Sequence, residues 1–478
     1  MSDIKDSYDK VPYLSSAHAE SHPQRIAAIA TLFGLNPVVP KNARILEIGS
    51  ACGNNLLPIA MTLPEATCVG IELSQVQVDK AIELQTEAEI KNTTFHCLDM
   101  MDIDKDFGTF DYIIAHGIYS WVPAEVRDKI FEICQNNLSK NGVAYISYNT
   151  YPGWHERMAV REMMVYHARG FSDPNQAISQ ARSLLQFVSK AVPTTNTSYK
   201  SFLENGYKAV KKMPEWYFFH DYLEHENAPC LFSEFVEKAS GFGLQYLGDA
   251  NLRNMVPYEF APEVKEKLIQ ISKTTIALEQ YLDFLRNNPF RTTLLCRSEK
   301  TLTRSLAFDI MRKLHFRIST FIKAVDDSQV GADAQRSICE CLLEASHHCI
   351  SYKKLFELVK KKNSFSEEEF ETALRQCVFA QLVIPTFGET EAVSPKTKGL
   401  FVSPLLRAQA KRGVNVTNYF HESVELDNLS IKILSLMDGT RTESEIVAEV
   451  EASYSGIDNL ESKTKETLRL MSEKGLIF

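Results

Sequence analysis

Long hydrophobic runs are missing from this chain: no apolar stretch approaches the roughly 20 residues that a membrane-spanning helix requires. Nor does it open on a charged-then-apolar leader, so a cytoplasmic protein without membrane insertion is expected. Basic charge is in deficit too. The 52 Lys and Arg stand against 61 Asp and Glu, and the net charge of −9 argues against a surface made for nucleic acid or anionic lipid. The ten cysteines lack the regular spacing of a disulfide framework. Cys52, Cys68, Cys97 and Cys134 fall in apolar segments and are expected to be small buried hydrophobes of a reducing compartment. Cys339 and Cys341, followed by His347, His348 and Cys349, have metal-ligand residue types. On a helix, however, Cys339 and Cys341 face different directions, and no metal is expected. The G-x-G-x-x-G fingerprint of dinucleotide-binding enzymes is absent as well, which leaves a dehydrogenase poorly supported.

What is present is 478 residues, enough for two or three domains, with 44% hydrophobic residues to fill real cores. The stretch ARILEIGSACGNN (43–55) organises them. Ile45, Leu46 and Ile48 read as a buried parallel strand, and Gly49 and Gly53 as the tight turn after it, where a ligand can approach bare backbone amides. A second strand, Val69 to Leu73, carries Glu72 at its end, a carboxylate that can accept from both hydroxyls of a ribose. A third ends at Asp99, able to accept from an adenine amino group. A fourth, Phe110 to Ala115, runs into His116 and Gly117. Asn141 and Gly142 then turn the chain into a fifth strand, Val143 to Tyr148.

Ligands of an open parallel sheet sit beyond the carboxyl ends of its strands. Residues 116–121 and 148–155 emerge there and are rich in rings: His116, Tyr119, Trp121, Tyr148, Tyr151 and Trp154, with Asn149 among them. Aromatic faces attract cations. Before the sheet, a helix is expected over Pro23–Phe33, and between the second and third strands another over Gln75–Ile90. Ser74 is the expected cap of the latter, with Val78, Ile82 and Gln85 toward the sheet. Residues 156–228 are helical in pattern and read as an inserted cap or dimerisation element. Within them the polar run from His220 to Asn227 is a metal or proton-transfer candidate, but is more simply a hydrogen-bonded corner. Strands are expected again over Leu244–Asp249 and Phe290–Cys296, returning to the same sheet. Beyond residue 300, Ser366 with Glu369 and Thr442 with Glu445 make capping boxes in two small units of helix-turn-helix flavour. The expected division is 1–155, 156–228, 229–300, 301–390 and 391–478.

The acid–apolar–Gly pattern at Glu47–Gly53 resembles motif I of class I S-adenosylmethionine-dependent methyltransferases, with Ala51 where that motif has its middle glycine. Together with Ser7-Tyr8-Asp9, HGIYSWVP, SYNTYPGW, HDYLE followed by Asn227, GLQYLGDA and FRTTLLC, the chain is similar to bacterial members that carry a methyltransferase regulatory domain, the rickettsial-type protein lysine methyltransferases among them. The resemblance covers most of residues 1–300. It implies an α/β fold with a Rossmann-like sheet, a helical insert and mainly helical, winged-helix-like C-terminal domains. It implies S-adenosylmethionine as cofactor and methyl transfer to lysines of a protein, possible acceptors in the family being outer-membrane proteins, with a homodimer as one form of assembly. On that resemblance Glu47, Gly49, Ser50, Gly53 and Asn54 shape the methionine pocket and Glu72 with Leu73 holds ribose. Asp99 and Met100 meet adenine, His116 borders the sulfonium, and Tyr8 and Tyr13 touch the methionine end. Tyr119, Trp121, Tyr148, Asn149, Tyr151 and Trp154 are expected along the acceptor channel. The D/N-P-P-Y motif of enzymes that methylate DNA bases or glutamine is absent; Ala115-His116-Gly117-Ile118 stands in its place. A small amine or hydroxyl as acceptor, or a cofactor-binding regulator with DNA-binding winged helices, are the alternatives.

Overall fold

Strand β1 (Arg44–Ile48) lies inside a seven-stranded sheet of order β3-β2-β1-β4-β5-β7-β6. The others are β2 (Thr67–Glu72), β3 (Thr93–Cys97), β4 (Phe110–Ala115), β5 (Leu138–Asn149), β6 (Leu244–Asp249) and β7 (Phe290–Arg297). The computed structural model describes residues 11, 15–304, 308–320, 322, 333–345, 348–388, 399–413, 415–454 and 459–477. Strands β1 to β5 are parallel, whereas β7 runs antiparallel to both β5 and β6. The chain moves outward one way from β1 through β2 to β3, then crosses back to β4. That reversal opens a crevice at the carboxyl ends of β1 and β4.

Successive residues of a strand face opposite sides, and both sides here are covered. Ile45, Tyr112, Ile114 and Tyr145 join a core with Ile26 and Ile29 of the helix Pro23–Leu32 and with Phe33, which caps its end. Leu46, Ile48, Ile113 and Ile146 face the other way, onto Val126, Ile130 and Ile133 of the helix Ala124–Asn137. Arg291 on β7 is wholly buried and bridges Asp249 (3.1 Å), Glu279 (2.8 Å) and Asp283 (2.8 Å).

Between β5 and β6 stand the helices Gly153–Ala168, Pro174–Ala191, Thr197–Val210 and Glu215–Tyr222. They share a core of their own built on Met164, Ala181, Leu185, Leu203 and Phe218. After the sheet, β8 (His315–Ile318), β9 (Ile350–Ser351) and β10 (Val383–Thr386) form a small sheet beside the helices Asp333–Glu344, Tyr352–Lys362 and Glu367–Phe379. The last unit holds the helices Pro404–Lys411, Asn428–Leu436, Glu443–Ser453 and Leu460–Glu473. Both capping boxes form, at Ser366–Glu369 and Thr442–Glu445.

Local differences from the sequence pattern have physical causes. The helix after β2 spans Gln75–Glu87 and buries Val78, Ala81 and Leu84, which leaves Ile82 outward and 43% exposed. Asn141 and Gly142 lie within β5, not in a turn before it, and a register shift between Phe110 and Tyr112 on β4 absorbs the extra length. Among the described residues no helix is long and apolar enough to cross a membrane, and no group of three metal-ligand side chains occurs. His347 lies outside those residues.

Candidate active site

At the carboxyl ends of the parallel strands lies a cavity of about 600 Å³. One wall is the turn after β1. Gly49 has φ +69°, a conformation that favours glycine, and a Cβ there would stand 2.4 Å from Ile118 Cδ1 and force that side chain to move. Ala51 holds φ +45° although it carries a Cβ. Its amide donates to Glu72 Oε2 (3.1 Å) while the Ser74 amide donates to Oε1 (3.0 Å). Glu72 is thus aimed by two backbone donors, and an ionised carboxylate retains lone pairs for two further ones.

Glu47 is 3% exposed and lines the same cavity. Its Oε1 accepts from Asn55 Nδ2 (2.6 Å), whereas its buried Oε2 has no hydrogen-bond partner among the described residues. Burial, offset by the Asn55 bond and reinforced by Glu72, pushes its carboxyl up to about 8. A buried acid of this kind favours an incoming cation, which would return it to the ionised form. The α-ammonium or sulfonium of S-adenosylmethionine is such a cation. Leu73, Asp99 and Met100 line the cavity beyond Glu72, and Asp99 Oδ1 accepts from the Met101 amide (2.9 Å).

His116 stacks on His18, ring centroids 3.4 Å apart, and its Nδ1 meets Tyr145 Oη at 2.9 Å. Burial lowers both imidazoles, His18 to about 4, so both are neutral near pH 7. The cavity is also lined by Trp121, Trp154 and Trp216, every tryptophan the chain possesses. Trp121 meets Trp154 edge-on at 6.0 Å, and the Arg157 guanidinium lies 5.5 Å over Trp154. Tyr217 and Asp221, one helical turn apart on the helix Glu215–Tyr222, line it as well. Burial, partly offset by a hydrogen bond from Tyr217, pushes the Asp221 carboxyl up to about 6.

The structure brings together Glu47, Gly49, Ser50, Glu72, Leu73, Asp99, Met100, His116, Trp121, Asn149 and Trp154 around one cavity. Others of the expected set stand elsewhere. Tyr119 does not line it: the ring is 3% exposed and packs edge-on against Phe131, Tyr148 and Phe235 in the core. Tyr148 stacks on Phe235 at 3.8 Å, and Tyr151 on His155 at 4.1 Å. Gly53 (φ +77°) shapes the turn from behind, where a Cβ would stand 2.9 Å from Phe95 Cζ. Asn54 points away toward Gln409, and Asn55 takes the cavity-facing position. Tyr8 and Tyr13 lie outside the described residues.

Sequence patterning missed Asn55, His18, Arg157, Trp216 and Tyr217, and named Asp221 only within the polar run His220–Asn227, read more simply as a corner. The signal for Trp216, Tyr217 and Asp221 was a third tryptophan one turn before the His220–Asp221 pair. His220 itself is held as a corner, with Nδ1 at 2.8 Å from Glu224 Oε1 and Nε2 donating to Val11 O at 2.7 Å.

Residues 40–205 match the model of a methyltransferase domain, residues 214–297 that of a "Predicted methyltransferase regulatory domain", and residues 401–459 that of the "PKMT, C-terminal winged helix domain". An uncharacterized protein of Rickettsia prowazekii, RP028, is 39% identical over 235 residues, which take in 49% of this chain and 94% of that protein. The chain belongs to this methyltransferase family. A second R. prowazekii protein, RP789, is 43% identical over 308 residues, 64% of this methyltransferase; the match spans little more than half, 56%, of that relative's length. The solved structure of PKMT2 from Rickettsia typhi in complex with AdoHcy superimposes with a TM-score of 0.83 at 27% identity, covering 98% of this chain and 100% of that one. Residues 401–459 of the methyltransferase make up its winged-helix domain.

Proposed function

We propose that this methyltransferase transfers methyl groups to lysine side chains of a protein. The observation that carries the proposal is that all three tryptophans line the cavity together with Asp221, whose carboxyl burial pushes up to about 6. A lysine side chain is a long apolar stem with a cationic tip. Indole walls suit both parts, by burial of the stem and by attraction of the cation.

S-adenosylmethionine, when bound, supplies a methyl group already activated on a sulfonium. The protein's part is to hold donor and acceptor in line and keep water away. Glu72 accepts from the ribose hydroxyls, Asp99 and Met100 meet the adenine, and Glu47 opposes the positive charge of the methionine end. Gly49 and Ser50 let that end lie on the backbone, and the neutral His116 borders the sulfur. Trp121, Asn149 and Trp154 line the acceptor path. Lysine must lose a proton before it can attack, and its ordinary pKa is about 10.4. Asp221, ionised above about pH 6, lines the same cavity, attracts the ammonium and is a base that can receive its proton.

A bacterial surface protein met in the cytoplasm before export fits this scheme, and the net charge of −9 favours a protein over nucleic acid. Tyr166 and Phe187, 68% and 67% exposed on the insert helices, suit a homodimer contact. The division into five units at residues 155, 228, 300 and 390 belongs to the same proposal. The test is incubation of the purified protein with isotopically labelled S-adenosylmethionine and a bacterial lysate, followed by mass spectrometry. Label on lysines of protein bands supports lysine transfer; label confined to the small-molecule fraction or to other side chains overturns it.

A further inference from the structure

Both asparagines that close the turn after Gly53 reach across to the C-terminal unit. Asn54 Oδ1 accepts from Gln409 Nε2 (3.2 Å), and Asn55 Oδ1 accepts from His421 Nε2 (2.8 Å). All four side chains are buried. The orientation of Asn55 is dictated by its neighbours. The backbone N–H of His18 can only donate, and it meets Asn55 Oδ1 at 2.9 Å, with Ser21 Oγ donating to the same oxygen at 3.2 Å. Nδ2 is therefore left facing Glu47 Oε1 at 2.6 Å.

The tautomer of His421 follows in the same way. It faces an oxygen, so Nε2 carries the hydrogen, and Nδ1 has no partner among the described residues. Its ring is held in place by backbone at φ +60°, where Asn418 Oδ1 accepts from the amides of Phe420 (3.0 Å) and Glu422 (2.8 Å).

We infer that His421 is a positioning residue of the cofactor site: acting through Asn55, the C-terminal unit fixes the carboxylate of Glu47, so that cofactor affinity depends on that unit being docked. By linkage the cofactor must then tighten the docking by the same factor. The assignment rests on the cofactor role proposed for Glu47.

The titratable groups that act on Glu47 are Glu72, Cys68 on β2 and Tyr145 on β5; burial keeps the thiol and the phenol neutral. Without the imidazole, Asn55 Oδ1 keeps the His18 amide and Ser21 Oγ but loses its donor from the C-terminal unit, so the Asn55 bond that favours the ionised form of Glu47 is held less firmly. The ionisation midpoint of Glu47 then moves to higher pH.

The experiment is calorimetric titration of the full chain with S-adenosylhomocysteine across neutral to alkaline pH, for the wild type, His421→Leu, His421→Gln and Arg412→Ala. His421→Leu fills the space but cannot donate; it should bind about five- to tenfold more weakly, with the midpoint of the pH dependence raised. His421→Gln keeps an amide donor and should recover most of the loss. Arg412→Ala removes the bridges to Glu83 and Glu87 and a local bond to Ala408 O, leaves His421 and Asn55 untouched, and should bind as the wild type does. A folded His421→Leu with unchanged affinity and midpoint overturns the inference, as does an equal loss in Arg412→Ala, which would mean docking alone matters. Hydrogen exchange on the wild type gives a second readout that needs no variant. Cofactor product should protect the backbone around residues 415–424, and unaltered exchange there also overturns it. Failure of the wild type to bind S-adenosylhomocysteine at all would instead remove the cofactor role itself.

Discussion

Ala51 donates its amide to Glu72 Oε2 over 3.1 Å while holding φ at +45°, so a residue with a Cβ occupies a backbone state that favours glycine. The left-handed state costs an L-residue about 1–2 kcal/mol, against which the smaller conformational freedom of alanine in the unfolded chain returns about 0.4–1 kcal/mol. Ala51→Gly should therefore leave stability equal or raise it by up to about 1 kcal/mol, read by denaturant unfolding. Gly53→Ala should do the reverse and destabilise by about 1–3 kcal/mol, because its new Cβ meets Phe95 as well as the φ of +77°. A destabilised Ala51→Gly would show that the alanine makes a contact worth more than the strain.

Asp221 is pushed up to about 6, so it carries its charge only above that pH. The KM for a lysine acceptor should rise as pH falls through about 6. Asp221→Asn should show a KM raised about tenfold at neutral pH, with that limb of the profile gone and cofactor affinity retained. A variant with the wild-type profile would remove Asp221 from acceptor binding.

Trp121 meets Trp154 edge-on in the wall of the cavity, along the proposed acceptor path. Trp121→Ala should lower methyl transfer at least tenfold while S-adenosylhomocysteine binds within about threefold of the wild type. Should the variant instead melt, the ring serves packing alone; a thermal scan alongside the assay separates the outcomes.

Arg291 is shared by three buried acids. Arg291→Met strands them, and the loss should be about 3–5 kcal/mol, the range for breaking a buried ion pair from one side. Even with arginine present, burial raises Asp249 to about 7 from its ordinary 3.8. A carboxyl raised in the folded state adds stability that is complete below its unfolded pKa and is lost as pH climbs through its folded one. The Asp249 contribution should thus be present at about pH 4 and gone above about pH 7. Asp249→Asn should flatten the stability profile in that window, and an unaltered slope would show that the aspartate is already ionised there.

The strands and caps were legible because local chemistry dictates them: Ile45-Leu46 with Ile48, and Ser366 with Glu369, need no distant partner to declare themselves. The acids at strand ends were legible for the same reason, since Glu47, Glu72 and Asp99 each follow an apolar run. What distance along the chain decides was not. Asn54 and Asn55 are identical in type, and partners distant in sequence separate the one that leaves the cavity from the one that faces it: Gln409 for Asn54, and His18, Ser21 and His421 for Asn55. Tyr119 sits in a ring-rich loop like Trp121, yet the neighbouring Phe131 and Phe235 draw it into the core. Trp216 and Asp221 come from an insert whose helical pattern carries no sign of which way the helix Glu215–Tyr222 turns.

The most direct measurement is calorimetric titration of the wild type and Glu72→Ala with S-adenosylhomocysteine. Saturable one-to-one binding is expected for the wild type, weakened at least tenfold, or about 1.4 kcal/mol, in the variant. A folded wild type that takes up none of the compound, or a variant that binds it equally well, would contradict the account of how this cavity holds its cofactor.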